Sequence, residues 1–195
     1  MQRKGFDRLL SSLGITLTVL LIVAGSLLTW AHNFVSNEVH TQLSAQQIVF
    51  PAKGSEATAG AEFAPMRQYA GQKLTTGAQA KTYADHFIAV HLKSISGGKT
   101  YAQLSSAAQA DPTNTKLAGT VETVFKGETL RGLLLNAYAF DTMATVAGIA
   151  AITAFLGALV MLALSGLGLW HSTRVGPSQP VFGDAKVPAQ PQAVS

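Results

Sequence analysis

The 32 residues between Asp141 and Arg174, TMATVAGIAAITAFLGALVMLALSGLGLWHST (142–173), include no Asp, Glu, Lys or Arg. At about 1.5 Å per residue, the apolar portion 143–170 makes a helix about 42 Å long, against a hydrocarbon core of about 30 Å. A transmembrane helix over 142–171 is expected, tilted or protruding at one end. Trp170 and His171 mark its interface, where an indole with an apolar body and a polar edge is at home.

A second uncharged run occupies 9–31, about 20 apolar residues preceded by Arg3, Lys4 and Arg8 and closed by Trp30, His32 and Asn33. A cleaved secretory signal competes for this run, with Ala24 and Ser26 as the small residues of a cleavage site. The apolar block continues through Leu27, Leu28 and Trp30, beyond the roughly 7–15 residues of a signal core. An uncleaved signal-anchor is the better reading. The fold class expected is therefore an all-α membrane protein, two transmembrane helices with a helical extracytoplasmic domain between them.

Charge placement orients the chain. The formal net charge is +4 and the pI near 9.5, which in a soluble protein would raise nucleic acid as a partner. Between Ala31 and Thr142, however, nine Lys or Arg face eight Asp or Glu, so the middle is nearly neutral and no nucleic-acid partner is expected. The excess sits at Arg3, Lys4, Arg8, Arg174 and Lys186, whereas 31–52 contains neither Lys nor Arg. Cationic flanks stay in the cytoplasm. The expected layout is a basic cytoplasmic N-terminus (1–8), a first span (9–31), an extracytoplasmic domain (32–141), a second span (142–171) and a proline-rich, disordered cytoplasmic tail (172–195), in the plasma membrane.

Small residues recur at helical spacing in the second span: Ala144, Ala147, Gly148, Ala151, Ala154 and Ala158, with Gly157 beside them. The first span offers Gly14, Thr18, Gly25 and Thr29 as a matching face. Lipid supplies no hydrophobic force between helices, so close approach along small residues is what drives their association. The two spans packing on each other is one reading; a membrane-protein partner or homo-oligomer is the other.

Between the spans the pattern is helical. A piece over 33–47 continues the first span, and Pro51, Gly54, Gly60 and Pro65 then punctuate an irregular stretch. A helix over 75–94 carries Ala80, Ala84, Phe87, Ile88, His91, Leu92 and Ile95 on one stripe, with Lys81 and Asp85 paired at i,i+4 elsewhere. Phe87, Ile88, His91, Leu92 and Ile95 form either a core face, opposite Leu117, Val121, Val124 and Phe125, or a partner surface. Gly97-Gly98 ends that helix. A short helix or turn follows over 100–108, and Asp111-Pro112 reads as an N-cap and first position of a third helix feeding the second span.

Chemistry-bearing motifs are sparse. Cysteine is absent, which excludes disulfides, thiolate nucleophiles and Cys-ligated metal or haem. His86 and His91 are five apart, so they face different ways and make no i,i+4 metal pair. Gly97-Gly98-Lys99-Thr100 resembles the end of a phosphate loop, but position 93 is Lys93 rather than the first glycine and no strand precedes it. No cofactor and no catalytic set is assigned. Enzymatic activity is not expected, and the rival reading is a membrane-anchored enzyme or ligand-binding protein using His86, Asp85 or Tyr83.

The basic N-terminus, the anchor, QKLTTGAQAKTYADHFIAVHLKSISGGKTYAQLS (72–105), the Asp111-Pro112 step and the small-residue second span together resemble a group of two-span actinobacterial membrane proteins of unknown function. The likeness runs from Met1 to His171. Some members carry the automatic label aromatic ring-opening dioxygenase. That activity is not carried over: a non-haem iron site wants two histidines and a carboxylate converging on a dry pocket, which this pattern does not supply. The resemblance implies a topology and no catalytic residues. Membrane lipids and a membrane-protein partner or second copy are the partners expected.

Overall fold

A computed structural model of the chain describes residues 3–174. Of these, 84% are helical and none lies in a strand, so the described part of the chain is all-helical. Five α-helices run in order: α1 (Arg3–Ala45), α2 (Gly77–Tyr83), α3 (Ala89–Ser96), α4 (Tyr101–Ala110) and α5 (Thr115–Arg174). α1 and α5 are long and apolar enough to cross a membrane. The part of the expected tail beyond Arg174 lies outside the described residues; Ser172, Thr173 and Arg174 belong to α5.

Two compact units divide the chain, one formed by residues up to Leu28 and from Ile149, the other by Thr29–Gly148. In the first, α1 and α5 lie antiparallel: Ser11 meets Gly168, Gly14 meets Ser165, Leu21 meets Gly157 and Gly25 meets Phe155. As the chain advances along α1 its partners retreat along α5. Buried positions on α5 recur every seventh residue, at Ala151, Ala158, Ser165 and Ser172, and Ser11, Thr18 and Gly25 repeat the same interval on α1. That spacing keeps one seam of a helix toward its neighbour, as in a coiled coil.

The second unit has a single apolar core. It gathers Val39 and Leu43 from α1, Phe50, Phe63, Met66 and Leu74 from the connecting segment, Leu92 from α3, Leu104 from α4, and Val124 and Leu134 from α5. The stretch expected to be irregular holds two 3₁₀ helices, Glu56–Thr58 and Ala61–Tyr69. Arg67 ties them by donating to the carbonyls of Thr58, Ala59 and Gly60. Phe50 and Leu74 amides bond to the carbonyls of Gln72 and Ile48, both at 2.9 Å, closing the segment on itself.

Local chemistry sets the helix ends. Thr76 and Thr100 each build a capping box, with Gln79 and Gln103 respectively, satisfying amides that a helix start leaves without partners. α3 ends where Gly97 takes φ 61° and the Gly98 amide reaches back to the Lys93 carbonyl, a left-handed stop that glycine adopts without strain. Asp111-Pro112 does not open α5. Asp111 closes α4 and its carboxylate accepts from the Thr113 hydroxyl, while Asn114 caps α5 by accepting from the Leu117 amide. With its carboxylate engaged two residues on, Asp111 leaves the cap to Asn114.

The 75–94 helix also differs from a plain α-helix. A π-helical turn, Ala84–Ile88, joins α2 to α3, with the Ala89 amide bonding to the Ala84 carbonyl. Buried residues consequently fall at Ala80, Ala84, Ile88, Leu92 and Ser96, a constant step of four. An α-helix of 3.6 residues per turn drifts about 40° at each such step, and the wider π turn takes back part of that drift. Ser96 thereby replaces Ile95 on the inner face, and Ile95 is 49% exposed.

Candidate functional site

The seam of the first unit is built from small and hydroxyl-bearing residues. Gly14 and Gly168 lie directly against hydroxyls: a Cβ on either would run into the hydroxyl of Ser165 or Ser11, which would have to rotate away. Thr18, 4% exposed, returns its hydroxyl to the Gly14 carbonyl at 2.8 Å, so its polarity is spent within α1. Ser172 does the same with Leu169 at 2.7 Å. At one end His171 Nδ1 lies 3.0 Å from Asp7 Oδ2, and Arg174 sits 4.2 Å above the Trp170 ring. Among the expected packing residues, Gly14, Thr18, Ala151 and Ala158 are buried and Ala154 is half-buried.

Gly148 belongs to the other unit and faces His32 rather than Gly14 or Thr18. His32 Nδ1 is 2.7 Å from the Ala144 carbonyl oxygen. A carbonyl only accepts, so Nδ1 carries the proton. The ring lies against Gly148, where a Cβ would come within 3.0 Å of Nδ1.

On the same unit Asp141, the last acid before the uncharged block, accepts the Gly77 amide at 3.2 Å. It stands at the start of the helical run through α2 and α3, where a negative charge meets the positive end of the peptide dipoles. Gly77 again allows the approach, since its Cβ would fall 2.7 Å from Asp141 Oδ2.

Four charges link α2 and its π turn to α5. Lys81 Nζ is 2.6 Å from Asp85, Arg131 is 3.4 Å from the other Asp85 oxygen, and Arg131 also lies 3.5 Å from Glu128. The Lys81 hydrogen bond, aided by Arg131, lowers the Asp85 carboxyl below its usual value, and Asp85 in turn raises Lys81. Tyr83 is raised by burial, packed edge-on against Phe50 at 5.5 Å and beside Phe87 at 4.8 Å. These rings continue through His91, 4.4 Å from Phe87 and 5.7 Å from Phe63.

Of the expected stripe, Ile88 and Leu92 are in the core, Phe87 packs against it, and His91 and Ile95 are exposed. The opposite stripe is likewise partial: Val124 is buried, Leu117 and Val121 are half-buried, and Phe125 is exposed beside Tyr101. His86, Asp85 and Tyr83 do not converge. His86 donates to the Glu62 carbonyl, Asp85 holds Lys81 and Arg131, and Tyr83 stacks in the aromatic row. Among the described residues no three His, Asp or Glu side chains share a place where a metal ion would fit.

No family model, no curated protein and no solved structure matches the chain.

Proposed function

We propose that the chain is an integral membrane protein crossing the bilayer twice, with both ends cytoplasmic and 32–141 extracytoplasmic, and that it is a non-catalytic structural or accessory component of an envelope or membrane complex. Its contacts are with membrane lipids and with a membrane-protein partner or a second copy.

The observation that carries this reading is the inverted surface of the first unit. Small and hydroxyl residues line its seam, while eleven large apolar side chains on α1 and eleven on α5 face outward, Leu13 and Leu159 each 63% exposed. Burial of one such side chain is worth about 1.5–3 kcal/mol, so keeping all of them in water would outweigh the roughly 5–15 kcal/mol that stabilises an ordinary domain. Lipid removes that cost. It also makes close packing, rather than burial of Leu, the source of helix pairing.

Other features agree. Arg3, Lys4 and Arg8 before the first run and Arg174 after the second favour cytoplasmic ends. Cleavage after Ser26 would discard Ser11, Gly14, Thr18 and Gly25, the residues through which α1 meets α5. Likeness to the actinobacterial two-span group implies the same topology. Engagement of Asp85, His86 and Tyr83 in separate structural contacts favours an accessory role over catalysis.

Reporter fusions test the topology, one active only in the cytoplasm at each end and one active only outside near Gly60. All three should give signal. Silence at Gly60, or a mature protein beginning after Ser26, refutes two spans. Purification in mild detergent with cross-linking tests the role: a stoichiometric membrane-protein partner or a dimer is expected, and a chain that purifies only as a lone monomer refutes it.

A further inference from the structure

Charge is unevenly distributed in the Thr29–Gly148 unit. Nine cations and eight acids leave a surplus of one, yet one open cavity of about 550 Å³ is lined by Lys93, Lys99 and Arg131 with Glu128 as its one carboxylate. The lining therefore holds a surplus of two. The three cations come from α3, from the turn after it and from α5. Neither Lys93 nor Lys99 forms an ion pair among the described residues, whereas Lys81 and Lys126 each hold a carboxylate at 2.6 Å.

Arg131 is incompletely satisfied. Its two terminal nitrogens reach Asp85 at 3.4 Å and Glu128 at 3.5 Å, both long for charged partners. Its Nε is the one buried side-chain nitrogen or oxygen among the described residues that has no hydrogen-bond partner. The fold holds this guanidinium in place and leaves it short of acceptors. Ser96 and Tyr101 belong to the same lining, and the exposed Tyr101 ring lies 5.6 Å from that of Phe125.

We propose that this cavity binds a phosphate monoester group, held between Lys93, Lys99 and Arg131, with a phosphate oxygen replacing Glu128 on Arg131. Charge selects the ligand class. A phosphate monoester carries about −1.5 to −2 at neutral pH and three acceptor oxygens, which matches a surplus of two; a carboxylate would leave one cation unanswered. The cavity is larger than a phosphate alone, leaving room beside Tyr101 for the organic group attached to it. The Gly97-Gly98-Lys99-Thr100 run takes part only through Lys99 and as lining. It follows a helix, and its glycines serve to stop α3.

The same chemistry is offered by free phosphate compounds and by the headgroup of phosphatidic acid. Titration calorimetry of the full chain in a nonionic detergent, at low salt and mildly alkaline pH, separates the sources. One arm uses inorganic phosphate, the other mixed micelles containing phosphatidic acid, with phosphatidylcholine micelles as control. Saturable binding of inorganic phosphate supports a soluble ligand, and saturation by phosphatidic acid alone supports a lipid headgroup.

In either case the K93Q/K99Q double variant should bind about tenfold more weakly, and Glu128→Gln a few-fold more tightly because a competing carboxylate is gone. Raising salt from about 50 to about 500 mM should also weaken binding by the wild type about tenfold, a readout that needs no variant. Absence of saturable binding in both arms, or binding indifferent to salt, overturns the site. Equal affinity in K93Q/K99Q, with an unchanged melting curve, overturns it as well.

Discussion

Gly77→Ala tests whether the Asp141 contact anchors α2 to α5. The new Cβ would lie 2.7 Å from Asp141 Oδ2 and 2.9 Å from its Cγ, and closer still to its Cβ, which is fixed to the α5 backbone and cannot rotate away. The helices must separate, costing about 1–3 kcal/mol of overpacking strain. Separation also breaks the 3.2 Å hydrogen bond to a charged acceptor, worth about 1.5–3 kcal/mol. Against this stands at most about 1 kcal/mol of helix propensity gained by Ala over Gly. The net loss is about 2–5 kcal/mol. At roughly 4 °C per kcal/mol for a unit of this size, Tm should fall by about 8–20 °C. Gly119→Ala and Gly132→Ala in α5 should do the opposite, since nothing lies within 4 Å of either Cβ, and raise Tm by about 2–4 °C. Gly127→Ala should fall between, because the atom it meets is the flexible end of Leu92. Circular dichroism melts of the full chain in detergent read all four. A Tm for Gly77→Ala within about 2 °C of wild type, or a fall at Gly119 as large as at Gly77, would refute the contact.

Three further outcomes follow from the same contacts. Because Lys81 and Arg131 lower the folded-state pKa of Asp85, its contribution is present above the unfolded carboxyl value of about 3.9 and is lost as pH falls through the folded one. Asp85→Asn should therefore flatten the acid limb of a stability-against-pH curve and cost under about 1 kcal/mol at neutral pH; an unaltered acid limb would count against the linkage. Ala151→Leu and Ala158→Leu should weaken cross-linking between engineered cysteines on α1 and α5, whereas the outward Leu159→Ile should not, and equal effects would place the seam on another face. Phe50, 1% exposed between Tyr69 and Tyr83, should cost about 3–5 kcal/mol when replaced by Ala, and half-buried Phe87 less; limited proteolysis showing Phe87→Ala as the more labile would reverse the core assignment.

The long apolar helices were legible because 142–173 and 9–31 lack charge, a property of composition that needs no knowledge of contacts. The inner face of α3 was not. A uniform period of 3.6 puts Ile95 on that face, and the π turn at Ala84–Ile88 has no counterpart in residue type that would announce it. Two capping signals stand within four residues at Asp111 and Asn114, and the choice between them depends on the Thr113 hydroxyl, which engages the first. A packing face of Ala and Gly alone leaves out Ser165, and a span ending at 171 assigns Ser172 to the tail, although α5 continues to Arg174. The interval of seven from Ala151 to Ala158, continued to Ser165 and then Ser172, is the signal that finds them.

His32 and Gly148 show why small residues and buried polar groups must be read together. The imidazole N–H is costly in apolar surroundings unless it finds an acceptor. The Ala144 carbonyl, one turn before Gly148, already takes part in the α5 helix but retains a second lone pair, and His32 uses it at 2.7 Å. The ring reaches that oxygen only by lying flat on the helix, where a Cβ at 148 would press on it. Glycine at 148 therefore supports a hydrogen bond made by its neighbours as much as it permits helix approach. The two partners are 112 residues apart. Small-residue spacing identified Gly148 as a contact point, but it gave no sign that the group filling the notch was a histidine.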